Sequence, residues 1–324
     1  MDKTTITGAS APPNLDRLAM NHAPLVTIII PCYNREKYIK DAINSCLRQT
    51  YSHIEIIVVD DGSQDNSINV IREYKSKVKL ITQKNSGVSV ARNTGIEASQ
   101  GDFLVFLDSD DWISDDLIEM HINTFKKWDD LDIACADSRG ISSDGVESAT
   151  NTSNWPEIAS SPKELFLLTP PPFPACEMYK ASTVKSLGGF YNDMRAFADS
   201  SLRIRIVLNG GKVARTQGGH AIYRPVENSI TRNKTKLHYY ALKLLTKLNN
   251  EFKDNKKILQ LLELRKKKHR LRYWFSNFSY HLGFHPISMM KFIRHLIVVS
   301  KIDPGYTYFI IKEKPWLSEK SDAF

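Results

Sequence analysis

Cysteine is scarce in this chain, and what there is does not cluster. Cys32, Cys46, Cys135 and Cys176 stand far apart with no C-x-x-C pair among them. That spacing argues against a zinc site or a disulfide framework and fits a reducing compartment. Long apolar runs are also missing. None approaches the roughly 18 to 20 residues of a membrane-spanning helix, and the late run from Leu296 to Val299 has Arg294 and Lys301 close by. Residues 1–24 are polar and rich in Pro, Ala and Asn, without the apolar stretch and cleavage site of a signal peptide. The expectation is a cytoplasmic protein, with a peripheral place on the inner face of a membrane as its variant. No internal repeat is visible.

Acidic charge is lacking in one part only. Residues 236–324 carry 18 Lys/Arg against 7 Asp/Glu, a net of +11, whereas the rest of the 324-residue chain has a net of −3. The overall +8 therefore belongs to a C-terminal module.

What is present is a regular alternation. Val26 to Ile30 is a β-branched run stopped by Pro31, the pattern of a strand buried on both faces. Tyr38, Ile39, Ala42, Ile43, Cys46 and Leu47 then mark one face of a helix. Ile54–Val59 predicts a second strand, ending at Asp60-Asp61-Gly62-Ser63. Asp65 or Ser67 is placed to cap a helix through Ile68, Ile71 and Tyr74. Val78–Ile81 is a third strand, Ser86-Gly87 opens a helix from Val88 to Ala98, and Phe103–Leu107 is a fourth strand. Ser114 is expected to cap a helix with Asp115 and Asp116 in its first turn, and Leu131–Cys135 to form a fifth strand.

Residues 137–175 read as loops and short elements. A helix from Asp199 to Leu208 stops at Gly210-Gly211. Such alternation with short links predicts βαβ units around a mostly parallel sheet, an α/β fold followed by a C-terminal helical module. The expected division is a tail at 1–24, the α/β domain at 25–235 and a basic helical module at 236–324.

In such sheets ligands sit at the carboxyl ends of the strands. Tyr33, Asn34, Asp60, Asp61, Asp108, Asp110 and Asp111 all fall there. Converging carboxylates repel, so the rim implies a cation or a bound donor group. Asp108 and Asp110 are two apart, and a turn past a strand can aim both at one Mg²⁺ or Mn²⁺, which also takes substrate phosphates. A solvated Asx-rich turn is the other reading.

Several ordered motifs resemble family 2 glycosyltransferases, which have the nucleotide-sugar-binding GT-A fold. They are VTIIIPCYNRE, SCLRQTYSHIEIIVVDDGSQDNS, KNSGVSVARNTGIEASQGDFLVFLDSDD, and SLGGFYNDM to YRPVENSITRN. The resemblance covers roughly residues 24–235. It implies that Pro31 and Tyr33, with Asn34, lie by the nucleotide base, and that Asp61 accepts a hydrogen bond from the base, typically uracil. It makes Asp60 the holder of the turn and puts Arg92 and Ser109 near the donor. It further implies that Asp108 and Asp110 bind Mn²⁺ or Mg²⁺, with Asp111 behind them.

For an inverting member, the acid of a late helix matches Asp199, the general base. Here the chain departs from the pattern. Ala198 stands for the preceding acid, and Ser201 and Arg203 replace the downstream acid and Trp. An N-cap role for Asp199 stays open. Arg205 fits the family's helix Arg, and His220 and Arg224 either face the diphosphate or pack on the surface. The processive signature Q-x-x-R-W is missing, which implies single-sugar transfer.

The function implied is a hexosyl- or N-acetylhexosaminyltransferase. It would use a nucleoside-diphosphate sugar, a UDP-sugar by preference, and a hydroxyl of a glycan or lipid-linked glycan in cell-surface polysaccharide synthesis. The alternatives are a degenerate, non-catalytic nucleotide- or glycan-binding scaffold and a sugar-nucleotidyltransferase. The latter lacks its Gly-rich pyrophosphate loop, since Pro31-Cys32-Tyr33-Asn34-Arg35-Glu36 stands there instead. In the C-terminal module, Arg265 to Arg270 runs into Tyr273, Trp274 and Phe275. That mixture suits an anionic membrane interface or helices with a solvated basic face. No nucleic-acid recognition motif accompanies it.

Overall fold

The structure, a computed structural model, describes residues 23–128, 130–141, 147–150, 177–224 and 234–266. Every residue of β1 (Val26–Cys32) is buried, as its unbroken apolar run requires of a central strand. It lies between β2 (Ile54–Asp60) and β4 (Phe103–Phe106), parallel to both, and β3 (Lys79–Thr82) adds in parallel outside β2.

Beyond β4 the direction changes. β8 (Glu177–Lys180) runs antiparallel to β4 and to β6 (Leu131–Ile141). β6 then pairs in parallel with β9 (Lys212–Tyr223), and β9 antiparallel with the two-residue β5 (Trp112–Ile113). With β7 (Glu147–Thr150) on β6, the nine-stranded sheet reads β3-β2-β1-β4-β8-β6-β9-β5. The three strands that carry the predicted rim, β1, β2 and β4, are thus parallel to one another, inside a mixed α/β sheet.

Alternation along β1 supplies both faces. Ile28 and Ile30 face a cluster with α1 (Ile39–Leu47) and α4 (Leu117–Lys127). Ile29 faces the opposite cluster, which also holds Ile96 of α3 (Val88–Ala98), Val184 of α5 (Ala181–Ser186) and much of α6 (Ala198–Leu208). Leu244, Leu245 and Leu248 of α7 (Lys234–Glu251) and Ile258 and Leu262 of the helix at 256–266 complete that second cluster. The start of the basic module is therefore packed on the α/β core. Its basic-aromatic run beyond residue 266 lies outside the described residues.

Four local expectations are corrected. β6 continues to Ile141 and is joined by β7, inside a stretch read as loops, because its far half finds a second register on β9. Leu47 is exposed rather than part of the helix face; it lies about 80° round from Ile39, at the edge of the apolar stripe. Ser114 does not cap α4. The helix begins at Leu117, and the Ser114 hydroxyl donates to Asp116 Oδ1 at 2.7 Å. α2 (Ser67–Arg72) stops short of Tyr74, although Asp65 does accept the Ser67 N–H at 3.0 Å.

Candidate active site

Register brings the strand ends level. Cys32 at the end of β1 pairs with Asp60 at the end of β2, and Leu107 N–H, just past β4, donates to Ile29 O at 3.0 Å. The residues after these ends form one rim.

On the β1–β2 side, two loops are latched together. Asn34, at φ 53°, accepts Gln64 N–H at 2.8 Å and donates its own N–H to Ser63 Oγ at 3.0 Å. Arg35 N–H donates to Ser67 Oγ at 2.8 Å, Glu36 N–H to Asp65 Oδ2 at 3.1 Å, and Asn66 N–H to Glu36 Oε2 at 3.0 Å. Pro31 is buried within β1, whereas Tyr33 is 41% exposed, with a ring free to stack.

Asp60 is fully buried and accepts Gly62 N–H at 3.1 Å and Ser63 N–H at 3.0 Å on Oδ2, so it holds the turn. Its Oδ1 has no hydrogen-bond partner among the described residues. Asp61, also buried, accepts Gln83 Nε2–H at 2.7 Å, Ser86 N–H at 2.8 Å and Gly87 N–H at 2.8 Å. Gly87 opens α3 at φ 96°, a conformation that favours glycine. Asp61 thus secures the start of α3 with three of a carboxylate's roughly four acceptor positions.

The β4 side carries the charges. Arg92, on α3, is buried and donates from Nη2 to Asp108 Oδ1 at 2.6 Å, while its Nη1 lies 3.6 Å from Asp199 Oδ1. Burial works against its charge, but the carboxylates of Asp108 and Asp199 outweigh that and raise its affinity for the proton. Its Nε has no partner among the described residues, and its guanidinium carbon lies 5.4 Å from the Phe190 ring centroid.

Asp110 pairs with Arg35, Nε to Oδ2 at 3.2 Å. Burial, then the nearby Asp108 charge, raise its carboxyl above the ordinary range against the pull of Arg35. Asp111 is buried, accepts Arg224 N–H at 2.9 Å and is raised further by the same two causes. Ser109 is buried between them.

Asp108 and Asp110 each commit one oxygen to an arginine. The Asp110 carboxylate also accepts from its own backbone N–H, and Asp108 has one oxygen beyond the Arg92 contact. Hard carboxylate oxygens of this kind fit Mg²⁺ or Mn²⁺. No group of three or more His, Cys, Asp or Glu side chains placed to hold a metal ion forms among the described residues.

Asp199 lies in the first turn of α6, after the α6 N-cap Phe197 at φ 58°, and makes no capping bond. The N-cap alternative is therefore not what the structure contains. Its side chain is 21% exposed.

Arg205, Arg224 and His220 have partners of their own. Arg205 is a clamp, donating to Gly189 O at 2.6 Å, Leu187 O at 2.5 Å and Glu251 on α7 at 3.1 Å. Arg224 pairs with Asp41 at 2.7 Å and lies over the rings of Tyr38 and Trp112. The backbone of His220 exchanges hydrogen bonds with Ser114. Sequence reasoning missed Arg35, whose signal was a lone cation directly after a strand end. It also missed the burial of Arg203 against Glu177.

Parallel strands with a charged rim at their carboxyl ends, inside a mixed sheet, define an α/β protein whose ligands are taken at those strand ends. The particular family follows from comparison: residues 27–188 match the profile of glycosyl transferase family 2, and the chain belongs to that family. It is 47% identical over 104 residues to an uncharacterized glycosyltransferase of Haemophilus influenzae, covering 31% of this chain and 42% of that protein. It is 35% identical over 147 residues to chondroitin synthase of Escherichia coli, covering 44% and 21%. The match thus spans less than half the length of these curated relatives.

Among solved structures, S. aureus TarS 1-349 in complex with UDP-GlcNAc superposes with a TM-score of 0.65 at 19% identity, covering 84% of this chain and 79% of that one. The mannosyltransferase PcManGT from Pyrobaculum calidifontis, in complex with GDP-Man and Mn²⁺, gives 0.60 at 16% identity, covering 91% and 85%. These likenesses confirm the GT-A fold.

Proposed function

We propose that the chain is a metal-dependent inverting glycosyltransferase that moves one sugar from a nucleoside-diphosphate donor, a UDP-sugar, to a hydroxyl of a glycan or lipid-linked glycan in cell-surface polysaccharide synthesis. The observation that carries this reading is that one buried arginine, Arg92, contacts both Asp108 and Asp199. It joins the carboxylate proposed for the donor's metal to the one proposed for the acceptor's proton. TarS with UDP-GlcNAc, PcManGT with GDP-Man and Mn²⁺, and the sequence likeness to chondroitin synthase support the donor and pathway class.

In this reading Tyr33 stacks on the base and Asp61 reads it with its remaining acceptor position. Pro31, Asn34 and Asp60 hold the loops around it, and Ser109 holds the rim. Asp108 and Asp110 would hold Mg²⁺ or Mn²⁺, which when bound supplies Lewis-acid neutralisation of the leaving diphosphate. Asp199 takes the acceptor hydroxyl proton as that oxygen attacks the anomeric carbon on the face opposite the leaving group. The bond from the anomeric carbon to the diphosphate oxygen breaks, and its electron pair leaves on that oxygen. Arg92 holds Asp199 in aim.

A thermal-shift screen of nucleoside diphosphates and their sugars with Mn²⁺ tests the donor side. Stabilisation by one base, followed by slow hydrolysis of its sugar, supports the reading. Binding without hydrolysis or transfer would leave a non-catalytic scaffold. We place membrane contact in residues 236–324. Flotation with anionic vesicles at low salt tests it, and absence of binding removes it.

A further inference from the structure

Beneath Asp199 lies a charge pair that the proposed reaction does not use. Arg203 on α6 and Glu177 at the start of β8 are both completely buried. They form an ion pair through Arg203 Nε and Glu177 Oε1, and the Tyr179 hydroxyl donates to Glu177 Oε2. Taking both ions out of water is costly, and apolar residues of similar volume commonly serve a fold as well or better. Packing alone does not account for the pair.

Its place does. Residues four apart on a helix share one face, so Arg203 stands one turn below Asp199. Asp199 itself is partly exposed, has no capping bond, and meets Arg92 only at 3.6 Å. From the rim inward, Asp108 and Asp199 meet Arg92, and one helical turn below Asp199 the Arg203 side chain meets Glu177. Asp199 also strengthens the hold of Arg203 on its proton, after Glu177 and Tyr179 and against the effect of burial.

We propose that Arg203, anchored by Glu177, is a positioning residue that fixes the Asp199 carboxylate from below while Arg92 fixes it from the side; this rests on Asp199 being the base. A carboxylate that must meet a hydroxyl in line gains from a fixed charge beneath it as well as a contact at its side.

The test replaces the buried polar group as a unit, with Glu177→Leu, Tyr179→Phe and Arg203→Met together. The expected protein melts at or above the wild-type temperature and binds the nucleoside diphosphate with Mn²⁺ unchanged. It keeps its donor KM and loses about tenfold or more in kcat, and its crystal structure shows Asp199 turned away from Arg92. Arg203→Lys falls between the two in kcat. A well-folded triple variant with wild-type kcat and Asp199 unmoved overturns the proposal.

If the triple variant does not fold, Arg203→Lys decides alone. A fall in kcat at unchanged donor KM and melting temperature supports positioning, and unchanged kcat overturns it. If instead Asp199→Asn turns over normally, or the wild type acts on no nucleotide-sugar, the assignment of the base fails. The crystal comparison of Asp199 then still decides whether Arg203 positions it.

Discussion

Arg92 and Asp199 approach to 3.6 Å although they come from helices more than 100 residues apart in the chain. The same guanidinium reaches Asp108 at 2.6 Å. A planar fork with several donors can span two carboxylates, whereas a lysine ammonium is a point charge on a flexible stem. Arg92→Lys is therefore expected to keep the fold but lose roughly two orders of magnitude in turnover. Steady-state kinetics with the donor identified by thermal shift checks this, and near-wild-type turnover would refute the bridging role.

Asp110 faces Arg35 at 3.2 Å and Asp108 faces Arg92 at 2.6 Å, so each carboxylate is held by a cation. Asp110→Ala should abolish metal-stimulated turnover while the unfolding transition stays cooperative. Chelator should likewise silence the wild type, with Mn²⁺ restoring it. Activity indifferent to chelator would remove the metal assignment.

Arg205 ties three elements together through Leu187 O, Gly189 O and Glu251. Removing it strands two inner carbonyls and a carboxylate at once. Arg205→Ala should cost about 2–4 kcal/mol in urea unfolding, and Glu251→Gln less, because an amide oxygen can still accept. A loss of under about 0.5 kcal/mol for Arg205→Ala, the level of an ordinary surface change, would contradict the clamp.

Burial pushes the Cys32 and Cys46 thiols up to about 12, reinforced at Cys32 by the neighbouring Asp60 charge. Only the thiolate is nucleophilic, so both should resist iodoacetamide at pH 8 in the native protein and react in denaturant. Mass spectrometry of the labelled peptides reads this out, and rapid native labelling at either position would count against the burial.

Much of this architecture was legible because it is local. The apolar run of β1, the period of α3 and the acidic ends of β2 and β4 are each written within a dozen residues. What was not legible depends on partners brought from afar. Arg35 looked like a loop charge until Asp110 arrived from β4. Arg203 looked like a lost family feature, but Glu177, 26 positions earlier, neutralises it. β6 grew past its apolar segment because β9 offered it a second register, which no local pattern encodes.

The change of strand direction between β4 and β8 also divides labour. In the proposed roles, the groups that read the nucleotide stand at the ends of β1, β2 and β4, on the parallel side. Glu177, Tyr179 and, through α6, Asp199 belong to the antiparallel side. Arg92 is the rivet across that seam. Chimaeras cut between residues of β4 and β8 would then exchange acceptor preference while leaving donor choice intact, provided the incoming half brings a carboxylate within reach of Arg92.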